Sequence, residues 1–155
     1  MSELNEYKYR GSRASILLHE KYLRKFLATW KTAAKSDIRL PQTDDPNYDS
    51  LITLLRHVLW WARDYMVWMC AQLKLPDPDI KPVPDIDDVE AEAEQYIEHV
   101  LEKWRTPLTN VPEEMFHSAV YKTQWNIRYC IDAYLEHTVM HPIKHRFQLL
   151  ELMEK

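Results

Sequence analysis

One glycine, Gly11, occurs in this chain of 155 residues. Glycine supplies the left-handed backbone conformations that tight β-hairpins and phosphate-binding loops require, and it makes up about 7% of an average protein. A chain with so little glycine is poorly suited to a β-rich fold or to a nucleotide-binding α/β fold. We therefore expect an all-α protein. The 46% of apolar residues in a chain of this length predicts a single domain, residues 1–155, with a substantial core.

The charged residues argue against two classes of partner. The 24 acidic and 20 basic residues are spread along the chain without a Lys/Arg block, so no nucleic acid is expected. No apolar stretch is long enough to cross a bilayer, and the first segment, "MSELNEYKYRGSRAS", has no apolar signal core, so no membrane partner is expected. Cys70 and Cys130 stand far apart, which is typical of reduced core thiols. These features predict a cytoplasmic protein.

Apolar residues recur at steps of three and four along most of the chain, which is the spacing of helices with one buried face. The predicted long helices span about residues 12–34, 46–73, 87–104 and 124–153, and a short helix is expected after Pro112. Asp45 followed by Pro46 is typical of the N-cap and first turn of a helix, and it predicts the start of the second helix. The proline-rich segment 75–88 is expected to be an ordered crossover or loop. Four long helices with two long connections predict a four-helix bundle with crossover topology.

Three of the seven histidines lie in one short window near the end of the chain. His137, His141 and His145 are spaced by four, so they share one face of a helix. Two imidazoles one turn apart can bind a single cation, and a third ligand must then come from another helix. His57 is the candidate, because it lies in the most apolar predicted helix and its ring nitrogens need a partner there.

Each histidine also has an ordinary interpretation. A solvated stripe would explain the last three, and a hydrogen bond to a neighbour would explain His57. The protein would then be a metal-free helical interaction module, and a haem-binding bundle is a third interpretation. The remaining histidines are expected at the surface, and they are His19, His99 and His117.

Pro142 falls inside the last predicted helix, directly after His141. A proline in a helix interior costs roughly 3 kcal/mol, because it removes a backbone donor and its ring clashes with the preceding turn. A sequence that breaks a local rule beside potential ligands behaves as functional sites often do. We expect the helix to be continuous through residues 137–148 and bent near Pro142. The alternative is that the helix ends and restarts there.

Two segments of the sequence resemble the metal-binding stretches of the DinB-like superfamily, which are helical bundles with a three-histidine site. The segments are "LLRHVLWWARDYM" and "HPIKHRFQLLELM". Members of that family carry one histidine on the second helix and an H-x-x-x-H pair on the last, often followed by Arg, Gly and Gln. His57 matches the first position, His141 and His145 match the pair, and Arg146 and Gln148 stand where the family pattern has Arg and Gln.

One position departs from that family pattern. Phe147 stands where the family usually has glycine, and His137 offers a competing pair with His141. The pair of His141 and His145 is preferred, because the residues after His145 also match. His137 remains the alternative metal ligand.

Three neutral imidazoles without a carboxylate or thiolate would leave an open coordination position, as in catalytic zinc sites. The expected cofactor is a divalent metal, with zinc first and nickel or iron also compatible. The resemblance implies a metal-dependent enzyme, a transferase, isomerase or hydrolase, with thiol-dependent S-transfer or isomerisation foremost and a small-molecule thiol as substrate. Asp64 is the one acidic candidate for a catalytic role, and a surface salt bridge is its alternative. Trp61 and Trp68 fall near the face of His57 and are expected to line a pocket.

The number of aromatic residues bears on the oligomeric state. Six Trp, nine Tyr and three Phe offer more large aromatic surface than one small helical core readily hides, and the first predicted helix has a broad apolar face. Exposed apolar patches of that size usually mark an interface, and two-fold association is the commonest arrangement. DinB-like relatives often dimerise through their bundles, so we expect a homodimer.

Overall fold

Five α-helices carry most of the chain that the computed structural model describes, residues 3–155. The helices are α1 (Arg10–Ala34), α2 (Leu51–Gln72), α3 (Val89–Trp104), α4 (Glu114–His117) and α5 (Ile131–Glu154). Within residues 3–155 the other regular elements are a 3-10 turn, Pro46–Tyr48, and an antiparallel pair of two-residue strands, β1 (Tyr121–Lys122) and β2 (Arg128–Tyr129). The expected predominance of helix is confirmed, and the small sheet was not expected.

The second helix begins later than the sequence pattern predicts. Residues 46–48 form a separate 3-10 turn, in which the Asp45 carboxylate accepts a hydrogen bond from the Asn47 backbone N–H at 2.9 Å. Helix α2 starts at Leu51, because Ser50 and Thr53 form a reciprocal cap. The Ser50 Oγ accepts from the Thr53 N–H at 3.1 Å, and the Thr53 Oγ1 accepts from the Ser50 N–H at 3.0 Å. These two bonds satisfy backbone donors that a longer helix would have engaged.

The last helix also begins later than predicted, at Ile131 instead of residue 124. The preceding residues form the hairpin of β1 and β2, whose turn contains Asn126 in the left-handed region at φ 66°. The Thr123 Oγ1 accepts from the Ile127 N–H at 3.1 Å and closes this turn. The Cys130 Sγ then caps α5 by accepting from the Ala133 N–H at 3.5 Å. Asparagine tolerates positive φ, so this turn forms without glycine.

The long helices bury their apolar faces against one another in a single cluster of core residues. Helix α1 packs along α5, and α2 packs on α3. Two buried tryptophans also join elements through their indole N–H groups. Trp30 donates to the Leu51 carbonyl at 2.7 Å, and Trp104 donates to the Ala62 carbonyl at 2.9 Å. The polar ends of these large rings are therefore satisfied inside the core.

Most of the tryptophan surface is hidden within one chain. Trp30 and Trp104 are buried, Trp61, Trp68 and Trp125 are partly buried against the core, and Trp60 is 41% exposed. The aromatic surplus therefore does not by itself require a second copy of the chain. No helix among residues 3–155 combines the length and the apolar character needed to cross a membrane.

The proline-rich connection between α2 and α3 is ordered by two arginines of α2. The Arg56 Nε donates to the Pro84 carbonyl at 3.0 Å, and the Arg63 Nε donates to the Ile80 carbonyl at 2.9 Å. Ile80 and Val83 are buried beneath this segment. The expected ordered connection is therefore present, and it lies against one face of α2, whereas the crossover topology stays a prediction.

The expectation of a surface position for His19 is wrong. Its ring is 1% exposed, it stacks on Trp104 with the ring centroids 3.7 Å apart, and no hydrogen bond reaches its Nδ1 from residues 3–155. His19 follows Ile16 by three residues and precedes Leu23 by four, so it shares their buried face of α1. His99 is partly exposed and His117 is exposed, as expected.

The buried ring of His19 predicts a pH-dependent stability. Burial lowers its pKa from 6.5 to about 3. Between these values the unfolded chain binds a proton at His19 and the folded chain does not, so stability falls as the pH is lowered through this window and is unaffected above it. Between pH 6 and 4 the free energy of unfolding, measured with urea, should fall less steeply in the His19→Phe variant than in the wild type. The difference in slope should reach up to about 1.4 kcal/mol per pH unit.

The exposed His117 provides the control for this measurement. A His117→Phe variant replaces an exposed histidine and reports the effect of the substitution itself, without the loss of a buried ring. Parallel curves for the wild type and His19→Phe would show that His19 does not remain neutral in the folded protein.

Candidate metal centre

Three imidazoles from two helices meet at one point. Helix α2 contributes His57, and α5 contributes His141 and His145. The His141 Nε2 lies 3.2 Å from the His57 Nε2 and 3.2 Å from the His145 Nε2. One ring nitrogen from each of the three residues lies within 4.8 Å of the others. The two sequence segments that suggested a shared site are therefore adjacent in space.

The continuity of α5 brings its two histidines to the same side. The helix runs without interruption from Ile131 to Glu154, with Pro142 buried inside it. The expected continuity is confirmed, and the alternative of a helix that restarts at Pro142 is wrong. A bend at this residue stays a prediction. Because His141 and His145 are one turn apart on an unbroken helix, both rings face His57 on α2.

Burial sets the protonation state of the cluster. It lowers the pKa of His57, it lowers that of His141 well below the usual 6.5, and it lowers that of His145 to about 4. The positive charge of Lys144 lowers all three pKa values further, and the hydrogen bond to Gln148 partly offsets this decrease at His145. All three rings are therefore neutral near pH 7, which is the form that binds a metal ion.

The degree of burial differs among the three rings. His145 is fully buried and His141 is 8% exposed, whereas His57 is partly exposed. We expected His57 to be largely buried. It is more open because it also lines a surface cleft. The cluster is therefore accessible from the side of His57.

The hydrogen-bonding capacity of the cluster shows that the donors fit a cation. A neutral imidazole has one N–H and one lone pair. The His145 Nδ1 donates to the Gln148 Oε1 at 2.9 Å, so the His145 Nε2 presents a lone pair to His141. A single hydrogen on the His141 Nε2 satisfies only one of its two 3.2 Å contacts well. A cation placed among the three nitrogens would accept every lone pair.

The distances within the cluster agree with this interpretation. A zinc ion bonds imidazole nitrogen at about 2.1 Å, so two nitrogens on a tetrahedral zinc lie about 3.4 Å apart. The two separations that involve the His141 Nε2, both 3.2 Å, are close to that value, and all three ring nitrogens lie within 4.8 Å of one another. Among residues 3–155 this group consists of three histidines without a carboxylate or thiolate. Imidazole ligands suit zinc, nickel and iron.

Residues around the cluster hold the rings in place. Gln148 fixes the tautomer and orientation of His145, and Tyr65 packs edge-on against His141 with the ring centroids 5.7 Å apart. The Arg146 Nε donates to the Thr29 Oγ1 of α1 at 3.1 Å. Of the two residues that the resemblance placed after the histidine pair, Gln148 therefore supports the cluster directly, and Arg146 joins α5 to α1.

His137, the alternative ligand, lies apart from the cluster. Its ring stacks on Trp125 with the centroids 4.7 Å apart and meets the edge of Tyr65 at 5.8 Å. The structure therefore places His141 and His145, and not His137, beside His57. The hairpin that carries Trp125 was not predicted, so the sequence offered no partner for His137.

Asp64 and Trp68 lie away from the histidines. The Asp64 carboxylate accepts a hydrogen bond from the Gln124 Nε2 at 2.7 Å, and the Gln124 side chain also bonds the Tyr134 hydroxyl. Trp68 stacks on Tyr134 with the ring centroids 4.0 Å apart. Neither residue belongs to the lining of the cleft at His57. The structure therefore gives Asp64 a hydrogen-bonding role at the base of the hairpin.

The cleft beside His57 has a volume of about 740 Å³ and includes Trp61, as expected. It also includes Arg56 and Trp60, which the sequence analysis did not single out. These two residues precede and follow His57 by one and three positions on α2. Their helical spacing was visible in the sequence. The rest of the cleft lining comes largely from connections without a periodic pattern, so the cleft itself could not be predicted.

No protein-family model, curated protein or solved structure matches this chain. Function must therefore be inferred from the chemistry of the site.

The hydrogen bond from His145 to Gln148 predicts a measurable effect on metal affinity. Replacing Gln148 with leucine removes the acceptor that fixes the His145 ring, so zinc affinity should fall by about 10- to 100-fold. A competition titration with a chromophoric chelator would measure this change. Gln148→Glu keeps an acceptor oxygen and should retain most of the affinity.

Gln124 provides the matched control. A Gln124→Leu variant also loses the side-chain hydrogen bonds of an exposed glutamine, as Gln148→Leu does, but these bonds go to Asp64 and Tyr134. Its zinc affinity should remain that of the wild type. Equal losses in Gln124→Leu and Gln148→Leu would indicate general destabilisation of the fold.

Proposed function

We propose that this protein is a DinB-like four-helix bundle that binds one divalent metal ion at His57, His141 and His145 and acts as a metal-dependent enzyme. The observation that carries the proposal is the convergence of three neutral imidazoles at a point reached from a surface cleft, with the His141 Nε2 3.2 Å from the Nε2 of each of the other two. Zinc is the first candidate, and nickel and iron are compatible with the same ligands.

The arrangement of the helices supports the family assignment within this proposal. One histidine lies on the second long helix and two lie one turn apart on the last, as in the DinB-like pattern. The four long helices α1, α2, α3 and α5 supply most of the core. The long connection between α2 and α3 fits the crossover topology expected of such a bundle.

A bound divalent ion supplies Lewis-acid chemistry, which lowers the pKa of a coordinating thiol or water toward neutrality. The residues of this chain provide the remaining functions. The three neutral imidazoles leave a coordination position open, and Gln148 holds His145 in the ligating tautomer. The partly exposed edge of His57 faces the cleft, so a substrate would approach from that side.

The composition of the cluster favours thiol chemistry. Among residues 3–155 no carboxylate joins the three histidines, and Asp64 is bonded to Gln124 outside the cleft. A hydrolase of this kind usually needs a general base near its bound water. A bound divalent ion would instead supply the acidity that turns a thiol substrate into a nucleophile, so that the three histidines would need no carboxylate beside them. We therefore place thiol-dependent S-transfer or isomerisation ahead of hydrolysis.

Metal analysis of variants tests the ligand set. Protein purified without a histidine tag should contain about one divalent ion per chain, as a single three-histidine site would hold. Each of the variants His57→Ala, His141→Ala and His145→Ala should lose most of this metal, because two imidazoles remain. Elemental analysis after gel filtration gives the stoichiometry.

His137→Ala is the matched control, because it removes a histidine from the same helix outside the cluster, and its metal content should be unchanged. Full metal content in all three ligand variants would refute the assignment. Absence of metal from every preparation would favour a metal-free interaction module, in which the three histidines form a hydrogen-bonded polar cluster. Metal-loaded protein should then be screened for thiol-dependent transfer.

The homodimer expected from the sequence stays a prediction. Two neighbouring leucines of α1, Leu17 and Leu18, are 40% and 45% exposed, and a second copy could cover them. Light scattering at micromolar concentration should give a mass near twice the 18.7 kDa of one chain. A mass near 18.7 kDa that does not rise with concentration would show that these leucines remain at a monomer surface.

A further inference from the structure

The cleft beside the candidate metal centre has two chemically different walls. One wall is a single face of α2, formed by Thr53, Arg56, His57 and Trp60, which follow the helical spacing. A second wall comes from the end of the proline-rich connection, which Arg56 contacts at the Pro84 carbonyl, and it includes Asp85 and Asp87. We call this space the His57 cleft. Its volume of about 740 Å³ is ample for a small molecule.

Arg56 offers unused donors in the His57 cleft. Its Nε donates to the Pro84 carbonyl at 3.0 Å, which holds the guanidinium by one edge. Within residues 3–155 its Nη1 and Nη2 form no hydrogen bond and no ion pair. The planar fork of an arginine matches the two oxygens of a carboxylate. Arg56 is therefore an anchored group ready to bind an anion beside His57.

The wall that contains Asp85 and Asp87 limits which anion can bind in the His57 cleft. Asp85 and Asp87 are exposed, and neither carboxylate forms an ion pair with another residue in the described range 3–155. With Arg56 they give the charged lining of the His57 cleft a sum of −1. A phosphate or dicarboxylate would meet repulsion from that wall, whereas a ligand with one carboxylate and one ammonium group would be complementary to both walls.

We propose that the His57 cleft binds a small amino-acid-like zwitterion, with its carboxylate on Arg56 and its ammonium group toward Asp85 and Asp87. The side chain of such a ligand would extend along Trp60 toward His57. This inference rests on the proposed function, since it names the substrate class of the same metal centre. The binding groups belong to the cleft, however, and they exist whether or not a metal is bound.

Arg63 separates ligand binding from structural support. It lies two turns after Arg56 on α2, and its Nε donates to the Ile80 carbonyl at 2.9 Å, so it supports the same connection in the same way. Arg63 does not line the His57 cleft. If Arg56 only supports the connection, Arg56→Gln and Arg63→Gln will have similar effects. If Arg56 binds a carboxylate, only Arg56→Gln will weaken ligand binding.

The test is a titration of ¹⁵N-labelled full-length protein followed by the indole N–H signal of Trp60, which a Trp60→Phe variant identifies. The three probes are L-2-aminobutyrate, butyrate and propylamine, which carry both charged groups, the carboxylate alone and the ammonium alone. None contains a thiol that would remove a bound metal. L-2-aminobutyrate should bind most tightly. Arg56→Gln should weaken binding of both carboxylates by about tenfold and leave propylamine unchanged.

Two further variants complete the design. Arg63→Gln should bind all three probes as the wild type does. The double variant Asp85→Asn and Asp87→Asn should remove the advantage of L-2-aminobutyrate over butyrate. The proposal is overturned if the Trp60 indole N–H signal shifts with none of the three probes, or if Arg56→Gln binds the carboxylate probes as tightly as the wild type does. It is also overturned if the double variant still prefers L-2-aminobutyrate to butyrate.

The same titration in His141→Ala separates this proposal from the proposed function. That variant should lack the metal centre and keep the His57 cleft. Adding Arg56→Gln to it should therefore weaken binding of the carboxylate probes as much as in the wild type. Wild-type protein that contains no metal in any preparation and still binds L-2-aminobutyrate through Arg56 would refute the metal assignment alone. A protein with one metal ion and no Arg56-dependent binding would refute the zwitterion alone.

Discussion

The continuity of α5 through Pro142 is the constraint on which the site and much of the core depend. A break at this residue would rotate His145 away from His141 and separate both from His57. The same helix packs along α1 and buries apolar residues on both sides of the proline, such as Leu135 and Leu149. Burial of one such side chain contributes about 1.5–3 kcal/mol, so a few of them offset the roughly 3 kcal/mol cost of an internal proline.

A cluster of three neutral imidazoles is an expensive feature for the interior of a small helical protein. His141 and His145 are buried and His57 is partly buried, so ring nitrogens leave water, and unsatisfied polar groups are costly there. Gln148 satisfies one nitrogen of His145, but the three Nε2 atoms face one another. An apolar side chain at each position would give a more stable core by the usual packing rules. This conflict between local stability and chemistry is the physical reason to assign the cluster a function.

The elements with a strong periodic pattern were predictable from the sequence, and those fixed by capping or by tertiary contacts were not. The spacing of apolar residues located the four long helices, and the spacing of the histidines located the cluster. The start of α2 depends on the Ser50 cap, which takes an unusual form with Thr53 as partner. The hairpin before α5 was missed because Asn126, and not glycine, forms its left-handed turn. His19 was misplaced because charged residues follow it directly in the sequence, although it shares the buried helical face of Ile16 and Leu23.

The cleft could not be predicted because its two walls have different physical origins. The helical wall follows from the period of α2, and it carries His57 and Arg56 in adjacent positions. The second wall lies in a connection without periodicity, and its position depends on hydrogen bonds from Arg56 and Arg63 to backbone carbonyls. Every residue has a backbone carbonyl, so the sequence does not show which ones these arginines bind. The three histidines therefore lie on helices, whereas Asp85 and Asp87 of the cleft lie on a connection. Substitutions at Asp85 or Asp87 can therefore change the charge preference of the cleft without moving the histidines.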